Sequence, residues 1–336
     1  MKKILSFILL AATVGVTAQI LETDNYNSYA IGNVGTDPTG TTAGQGGMYT
    51  GASGTNGTNS DYQIVSVDAA HINSLQVKSG TTGASASNRT VYKNGLDVAW
   101  TNRTAGNNVI KGTLVLYTGT STGAIRAGSR LLTAGSAIIV GISYDSSSKN
   151  IVGVISCTNT STAAVTVPAQ NITAAGTFPA NTWVSVGYTY DPVNATATYI
   201  INGTSYTVTP TAGTSITPNL VPAKHQIYDA FIASNTVGTT SAVDNYTIEA
   251  ISSATLSANE VSDKKLFSIS PNPTSDYLTI KSKEKIKSVS VFDLSGRKMN
   301  VKYDGNGLNV QNLEKGNYIL TIQTDQSTVS KEFVKK

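Results

Sequence analysis

Between residues 20 and 250, apolar and polar positions alternate with a period of two in a series of short runs. The clearest runs are rich in β-branched and aromatic residues and span residues 114–117, 137–142, 151–155, 183–190 and 199–201. A period of two is typical of strands that bury one face. Clusters of Thr, Ser, Gly and Asn separate the runs at about the spacing of an all-β sandwich, and helical periodicity is almost absent. This part of the chain is therefore predicted to form two antiparallel sheets.

The strongest local signal is the dipeptide Asn202-Gly203, which joins the run at 199–201 to an alternating run at 204–208. Asn and Gly both tolerate positive φ, which the type I′ turn of a two-residue hairpin requires. The two runs are therefore predicted to pair as a tight β-hairpin.

The C-terminal residues repeat the pattern on a smaller scale. Residues 277–280, 289–291 and 318–322 alternate, and Pro271 and Pro273 stand before the first of these runs. Proline lacks a backbone donor, so it suits the start of a sheet better than its interior. The pattern predicts a small Ig-like antiparallel β-sandwich over 266–336. The polar segment 252–265, which has no apolar periodicity, is predicted to be a linker.

Three segments of this C-terminal region occur in a recognisable order. They read SISPNP at 268–273, VSVFDLSGR at 289–297 and LEKGNYILTI at 313–322, and a basic end follows. Their order and spacing resemble the type A C-terminal sorting domain of the type IX secretion system of Bacteroidetes. The resemblance implies that 266–336 contacts the secretion machinery and is then removed by a sortase-like peptidase. The rest would stay on the cell surface or be released into the medium.

The N-terminus has the features of an export signal. Lys2 and Lys3 precede an apolar run from 4 to about 16, and small residues stand at Val16-Thr17-Ala18. This pattern predicts a secretory signal peptide over 1–18, with Gln19 as the mature start. The apolar run is too short to cross a bilayer, and no later segment reaches transmembrane length. We therefore expect an extracellular or outer-membrane surface-attached protein without a transmembrane segment in the mature chain.

Charge is unevenly divided along the chain. Residues 19–250 hold nine Lys and Arg against eleven Asp and Glu, a net charge of −2, whereas residues 251–336 hold thirteen against nine, a net charge of +4. A nucleic-acid-binding domain needs a basic surface, and the central region lacks the composition for one. The single cysteine, Cys157, excludes an intramolecular disulfide and lies in an apolar run, so we expect it to be a small buried residue.

Four features of the central region resemble one family of sandwiches. They are the segment YNSYAIG at 26–32, the segment NTWVSVGYTYD at 181–191, the Asn202-Gly203 hairpin and the segment AVDNYTIEA at 242–250. Together they resemble the laminin-G-like or concanavalin-A-like jelly roll, which would cover 19–251. The resemblance implies that the first and last strands of the domain pair with each other. It also implies that Trp183 is a core residue.

A structural calcium ion is a second implication of the resemblance. In many sandwiches of this class, an acidic residue of the opening strand and an Asp of the closing strand share Ca²⁺. The corresponding positions here are Asn27 and Asp244. Calcium accepts carbonyl as well as carboxylate oxygens, so the pair could still bind the ion, although one charge is missing. The alternative is that Asp244 caps a turn.

Candidate catalytic groups are few. Glu22 and Asp24 lie two residues apart and hence on one strand face, but no third acid is in step with them and they lie close to the predicted mature start. Polysaccharide lyases of this fold use a Tyr and a His beside an Arg. His225 and Tyr228 are close in sequence, whereas Arg126 and Arg130 are predicted to lie in a solvated loop. We therefore expect no catalysis, with a jelly-roll glycoside hydrolase or polysaccharide lyase as the alternative.

Ligand binding agrees better with a domain that is rich in Tyr and Asn and poor in charge. Sugar sites combine an aromatic face with amide and carboxylate groups. Trp100, with Asp97 and Asn102 nearby, is the first candidate, and Tyr62 beside a Gly-rich loop is another. The sequence thus predicts an exported, non-catalytic protein that binds a polysaccharide, a surface glycan or another extracellular ligand. A purely structural cell-surface component is a third possibility.

Overall fold

The computed structural model describes residues 18–54, 56–81, 87–232, 236–253, 267–282, 285–293, 297–324 and 328–336. The chain divides into two compact units, Met1–Ser253 and Ala254–Lys336, and the division falls within the predicted linker. Residues 1–17 of the predicted signal peptide and most of the predicted linker lie outside the described residues. Within the described residues, no helix has the length and hydropathy to cross a membrane.

The first unit is built almost entirely of strands. Its single α-helix among the described residues is α1 (Leu96–Thr101), and short 3₁₀ turns occur at Gln45–Gly47, Asn59–Asp61 and Thr173–Ala175. The strands are β1 (Gln19–Asp24), β2 (Gly32–Asn33), β3 (Tyr49–Ala52), β4 (Tyr62–Val65), β5 (Ser74–Lys78), β6 (Arg89–Asn94), β7 (Val109–Tyr117), β8 (Ile125–Leu132), β9 (Ile138–Asp145), β10 (Asn150–Ile155), β11 (Cys157–Asn159), β12 (Val165–Thr166), β13 (Ala169–Asn171), β14 (Trp183–Asp191), β15 (Thr196–Ile201), β16 (Thr204–Thr207), β17 (Thr214–Ile216), β18 (Lys224–Phe231) and β19 (Thr240–Ile251).

Two large antiparallel sheets form the sandwich. The nine-stranded sheet has the order β16-β15-β14-β7-β19-β5-β4-β2, with β1 paired to β19, and the seven-stranded sheet has the order β13-β10-β9-β8-β18-β6-β3. A small third sheet joins β12, β11 and β17. Most neighbours in the large sheets are distant in sequence, as expected of a jelly roll. The predicted all-β, two-sheet antiparallel class is confirmed.

The first and last strands of the unit pair as predicted. β1 runs antiparallel to β19 from Gln19 opposite Ala250 to Asp24 opposite Tyr246. β19 is long enough to pair with β5 through its first residues and with β1 through its last ones, while β7 covers its other edge. A register shift between Val243 and Tyr246 interrupts the ladder to β7, so Asp244 lies in a β-bulge.

The core lies between the facing sheets. β14 contributes the buried residues Val184 and Val186 and the buried rings of Tyr188 and Tyr190. Apolar residues of β7, β9, β10 and β19 join them in one continuous cluster, and Cys157 is buried in it as predicted. Along most of these strands, alternate residues enter the cluster, which is the physical reason for the period-two pattern of the sequence.

The Asn202-Gly203 hairpin is confirmed. β15 and β16 pair through Ile201 and Thr204, and φ is +46° at Asn202 and +77° at Gly203. Positive φ at both positions is the requirement of the predicted type I′ turn. Helix α1, by contrast, was not predicted, because six residues are too few to establish a helical period.

The second unit contains two four-stranded sheets with its own apolar cluster, which includes Leu278, Val291, Leu320 and Phe333. The predicted small β-sandwich is therefore present. Its strands are β20 (Phe267–Ser270), β21 (Tyr277–Ser282), β22 (Ile286–Asp293), β23 (Lys298–Met299), β24 (Lys302–Tyr303), β25 (Gly307–Asn309), β26 (Gly316–Thr324) and β27 (Thr328–Lys335).

The sandwich core gives a first test. Leu116→Ala removes a fully buried side chain from β7, and we expect it to lower the free energy of unfolding by about 2–5 kcal/mol because a cavity remains. Val115→Ala, on the neighbouring position that faces outward, should cost less than half as much. Both tryptophans, Trp100 and Trp183, lie in this unit, so tryptophan fluorescence during urea unfolding reports on it selectively. Equal losses for the two variants would contradict the assigned facing of β7.

Candidate functional site

The side chains of β18 alternate between two environments. His225 and Ile227 point into the sandwich, since Ser129, which is opposite Ile227 on β8, contacts Tyr188 of the other sheet. Gln226 and Tyr228 therefore point away from the core. They belong to the outer face of the seven-stranded sheet, where we locate the candidate site.

A row of side chains crosses four adjacent strands of this face in register. Tyr49 on β3 is opposite Tyr92 on β6, Tyr92 is opposite Gln226 on β18, and Gln226 is opposite Arg130 on β8. We call these four residues the outer row. Because they occupy directly opposed positions, their side chains stand beside one another on one surface.

Polar and aromatic contacts fix the geometry of the outer row. Arg130 Nε donates to Gln226 Oε1 at 2.7 Å, and the guanidinium lies 4.4 Å from the centroid of the Tyr228 ring. At the other end, the rings of Tyr49 and Tyr92 stack at 5.4 Å with an interplanar angle of 15°. Lys224 Nζ lies 5.5 Å from the Tyr92 centroid. These contacts therefore bring together π surfaces, one amide and two cations.

The middle of this face is recessed. Tyr228 is 4% exposed and Gln226 is 8% exposed, although both point away from the core. Burial also lowers the pKa of the Arg130 guanidinium from its ordinary value, against an opposing effect of Tyr228. Gly141 is opposite Arg130 on β9, and a Cβ at this glycine would lie 2.6 Å from Arg130 Cβ. A side chain at 141 would therefore collide with Arg130 unless the two strands shifted.

The prediction that Arg126 and Arg130 lie in a solvated loop is wrong, because both residues lie within β8. They point outward from the same strand face. Arg126 forms an ion pair with Asp145 at 3.2 Å, whereas Arg130 contacts Gln226 and Tyr228. The segment 125–132 alternates only imperfectly and contains Gly128, which obscured its strand character. The sequence also gave no sign of the outer row, because its members come from four separate strands.

The opposite side of β18 lines a buried polar cluster. His225 Nε2 lies 2.7 Å from Ser129 Oγ, and His225 Nδ1 lies 3.5 Å from Glu22 Oε1. The Tyr246 hydroxyl donates to the same Glu22 oxygen at 2.8 Å. Burial by itself raises the pKa of Glu22, but the hydrogen bonds and charge of His225, with the bond from Tyr246, outweigh it and lower the pKa.

Asp24 completes this cluster on the same face of β1. It accepts hydrogen bonds from Lys93 Nζ at 2.6 Å and from the Tyr29 hydroxyl at 2.5 Å. Burial raises the pKa of Asp24, yet the bonds from Lys93, Tyr29 and the Tyr26 amide exceed that effect and lower it. A cavity of about 10 Å³ lies beside the cluster, which is about the space for one water molecule.

These contacts bear on the enzymatic alternatives. Both acids of the Glu22–Asp24 pair are directed into the sandwich and have partners there, rather than facing each other across a cleft. His225 and Tyr228 are three residues apart on a strand and so lie on opposite faces. The Tyr–His pair of the lyase alternative is therefore not formed, because only Tyr228 shares a surface with Arg130.

The predicted ligand-binding residues lie elsewhere. Trp100 is 4% exposed on α1, and the Arg103 guanidinium covers its ring at 4.1 Å, while Tyr62 is 1% exposed and donates to the Gly51 carbonyl. Neither ring presents a free face. Asp97 and Asn102 are exposed at α1 without an adjacent open aromatic ring. The geometry thus gives no support to a ligand site at these four positions.

The predicted calcium pair is not tested by these contacts. Asn27 Oδ1 accepts a hydrogen bond from the Asn73 amide at 3.1 Å, and Asp244 Oδ2 lies 4.0 Å from His71 Nε2. Burial raises the pKa of Asp244, which is unfavourable for an isolated carboxylate ligand. No group of three or more His, Cys, Asp or Glu residues suited to a metal occurs in the part of the chain that the structure describes.

Trp183 is not a core residue, contrary to the expectation. Its neighbour Val184 is buried, so Trp183 faces outward from the nine-stranded sheet. The His71 ring stacks on it at 3.9 Å, its Nε1 donates to Asp68 Oδ2 at 2.7 Å, and Tyr117 lies 5.0 Å away. One face of the indole is thereby covered, and its single donor, Nε1, is already bound to Asp68.

Comparison with known families identifies the second unit. The family model described as "Secretion system C-terminal sorting domain" matches residues 268–336. This match confirms the sorting-domain prediction for that region and indicates export by the type IX secretion system to the cell surface or the extracellular space. The search of curated proteins found no match.

Several solved structures share a low similarity with the chain. The crystal structure of HCR/D-Sa-GBL1/C is 7% identical over 89% of this chain and 73% of that one, with a TM-score of 0.38. The botulinum neurotoxin serotype D/C binding domain is 9% identical over 84% and 68%, with a TM-score of 0.39. An engineered GH43 glycoside hydrolase is 16% identical over 57% and 36%, with a TM-score of 0.37. At TM-scores this low, they carry no argument about this chain.

The buried cluster predicts a pH effect. The folded-state pKa of Glu22 is lowered, so its ionised form stabilises the fold above the ordinary pKa, and this stability is lost as the pH falls through the folded value. Glu22→Gln should cost about 1–3 kcal/mol at pH 7, and the deficit should shrink between about pH 5 and pH 3.

Urea unfolding across this pH range measures the effect. Glu249→Gln is the matched control, since Glu249 faces outward and pairs with Lys111 at 3.5 Å, and it should cost no more than about 1 kcal/mol at any pH. A pH-independent deficit for Glu22→Gln would contradict the assignment.

Proposed function

We propose that this protein is an exported, non-catalytic glycan-binding protein. The first unit binds the glycan on the outer face of the seven-stranded sheet, and the second unit directs export through the type IX secretion system. The observation that carries the proposal is the outer row, in which aromatic rings, an amide and a cation stand in register on one surface.

This set of groups suits the two kinds of surface that a sugar ring presents. The C–H faces of a sugar are apolar and pack on aromatic rings such as Tyr49 and Tyr92. The hydroxyl groups need donors and acceptors, which the Gln226 amide and the Arg130 guanidinium provide. Because the row crosses several strands, it offers an extended surface that fits several consecutive sugars.

Binding without catalysis agrees with the positions of the acids. Asp145, which pairs with Arg126, lies on the same sheet face as the outer row. Glu22 and Asp24, by contrast, are committed to the interior cluster. Glycoside hydrolysis requires two carboxylates that flank the scissile bond, and the described residues of the outer row supply none. A purely structural surface component remains the outcome if the protein binds no glycan.

Export gives the first test of the proposal. A variant that ends at Ser253, before the matched residues 268–336, should accumulate inside the cell envelope of a type IX-competent host, while the full chain should reach the surface or the medium. Cell fractionation and immunoblotting measure this distribution. Normal appearance of the truncated chain outside the cell would contradict the assigned role of the tail.

Glycan binding gives the second test. Tyr49→Ala removes one of the two stacked rings, and we expect it to weaken binding by about 0.5–1.5 kcal/mol, or roughly two- to tenfold in affinity. A glycan array with wild type, followed by calorimetry on the best ligand, measures the change.

Tyr117→Ala is the matched control for this experiment, because Tyr117 is a half-buried tyrosine on the outward face of the other sheet. It should leave the affinity unchanged. A loss caused by Tyr117→Ala and not by Tyr49→Ala would move the site to the surface around Trp183.

A further inference from the structure

Two cations of the outer face, Arg130 and Lys224, have different surroundings from the third, Arg126. Among the residues that the structure describes, no carboxylate is within ion-pair distance of Arg130 or of Lys224. The neighbouring Arg126, on the same strand and the same face, pairs with Asp145. Among the described residues, Arg126 of β8 therefore has a carboxylate partner and Arg130 of the same strand has none.

An unpaired cation in a recessed position is unfavourable unless something else compensates it. Arg130 is half-buried, and burial lowers the pKa of its guanidinium. Gln226 and the Tyr228 ring provide only dipolar and cation–π stabilisation, which is weaker than a carboxylate partner. Removing a charge from water without an anionic partner costs free energy. An anionic ligand would compensate this free-energy cost.

We propose that the outer face binds an acidic glycan whose sugar carboxylate pairs with the guanidinium of Arg130. This inference rests on the proposed function and names its ligand class. Arg130 Nε is already engaged by Gln226, so the two Nη groups remain to donate to one carboxylate as a bidentate pair. Lys224 lies two residues from Gln226 on the same face of β18, about 7 Å along the strand, and provides a second positive charge for the same chain.

Local charge, not overall charge, determines this selectivity. Residues 19–250 carry a net charge of −2, so the domain as a whole does not attract polyanions. Only a site with placed cations would select an acidic polymer over a neutral one. The aromatic end of the outer row, at Tyr49 and Tyr92, would then contact the apolar faces of neighbouring sugars.

The test compares polygalacturonate, a carboxylated polymer, with a neutral β-glucan and a sulfated polysaccharide, using the full chain. Wild type should bind the carboxylated polymer most tightly, and added salt should weaken that binding. Arg130→Gln should weaken it about tenfold or more, because it removes a charge-assisted bidentate pair. Arg126→Gln, the matched control, should change it less than about twofold, since its partner is Asp145.

Arg130→Lys separates charge from geometry. It keeps the charge but loses the planar pair of donors, so it should bind the carboxylated polymer with an affinity between those of wild type and Arg130→Gln. Thermal unfolding of each variant verifies that the fold is intact.

The binding preferences among the three polymers distinguish failure of this inference from failure of the proposed function. Tight binding of the neutral glucan, unaffected by Arg130→Gln, would overturn the acidic specificity and leave the proposed function standing. Preference for the sulfated polymer over the carboxylated one would overturn the carboxylate assignment. Absence of binding to all three polymers and to a wider glycan array would overturn both this inference and the proposed function.

Discussion

Strand β18 is an interior strand of the seven-stranded sheet, and its side chains alternate between the interior of the protein and its outer surface. His225 enters the space between the sheets, while Gln226 and Tyr228 stand on the opposite side. A shift of one residue in the register would exchange these sets. It would place a tyrosine in the interior cluster and a histidine on the binding surface.

The inward set depends on the closure of the sandwich by its first and last strands. β1 pairs with β19 and thereby brings Glu22 and Asp24 between the sheets, where His225 and Lys93 face them. Buried charges are costly unless each has a partner with good geometry. Here both acids are paired and hydrogen-bonded, so the cluster favours one specific register for β1 over alternatives that would leave its acids unpaired.

The outward-facing side chains, which include the outer row, are not all balanced in charge. Their rings and polar groups have neighbours on the same sheet, but the charge of Arg130 has no anion to balance it within the described residues. A half-buried charge without a counter-charge is unfavourable, and this cost is the basis of the proposed anionic ligand. Arg126, on the same face, pairs with Asp145, so the unbalanced charge belongs to Arg130 and not to the β8 arginines in general.

The sequence by itself determined the local features of this protein. Period-two runs predicted the strands, Asn202-Gly203 predicted the hairpin, and the ordered segments at 268–322 indicated the sorting domain. Each of these features depends on residues that are close along the chain. Resemblance to known sandwiches added the pairing of the terminal strands, which the structure confirms.

Only the tertiary structure decided which side chains share a surface. Trp100, the first sugar-binding candidate in the sequence, is buried and its ring is covered by Arg103. Trp183, which was expected in the core, faces outward. The outer row draws on strands separated by up to 177 positions in the sequence, from Tyr49 to Gln226. Sheet order and register create such a site, and both result from long-range pairing and burial that no local pattern encodes.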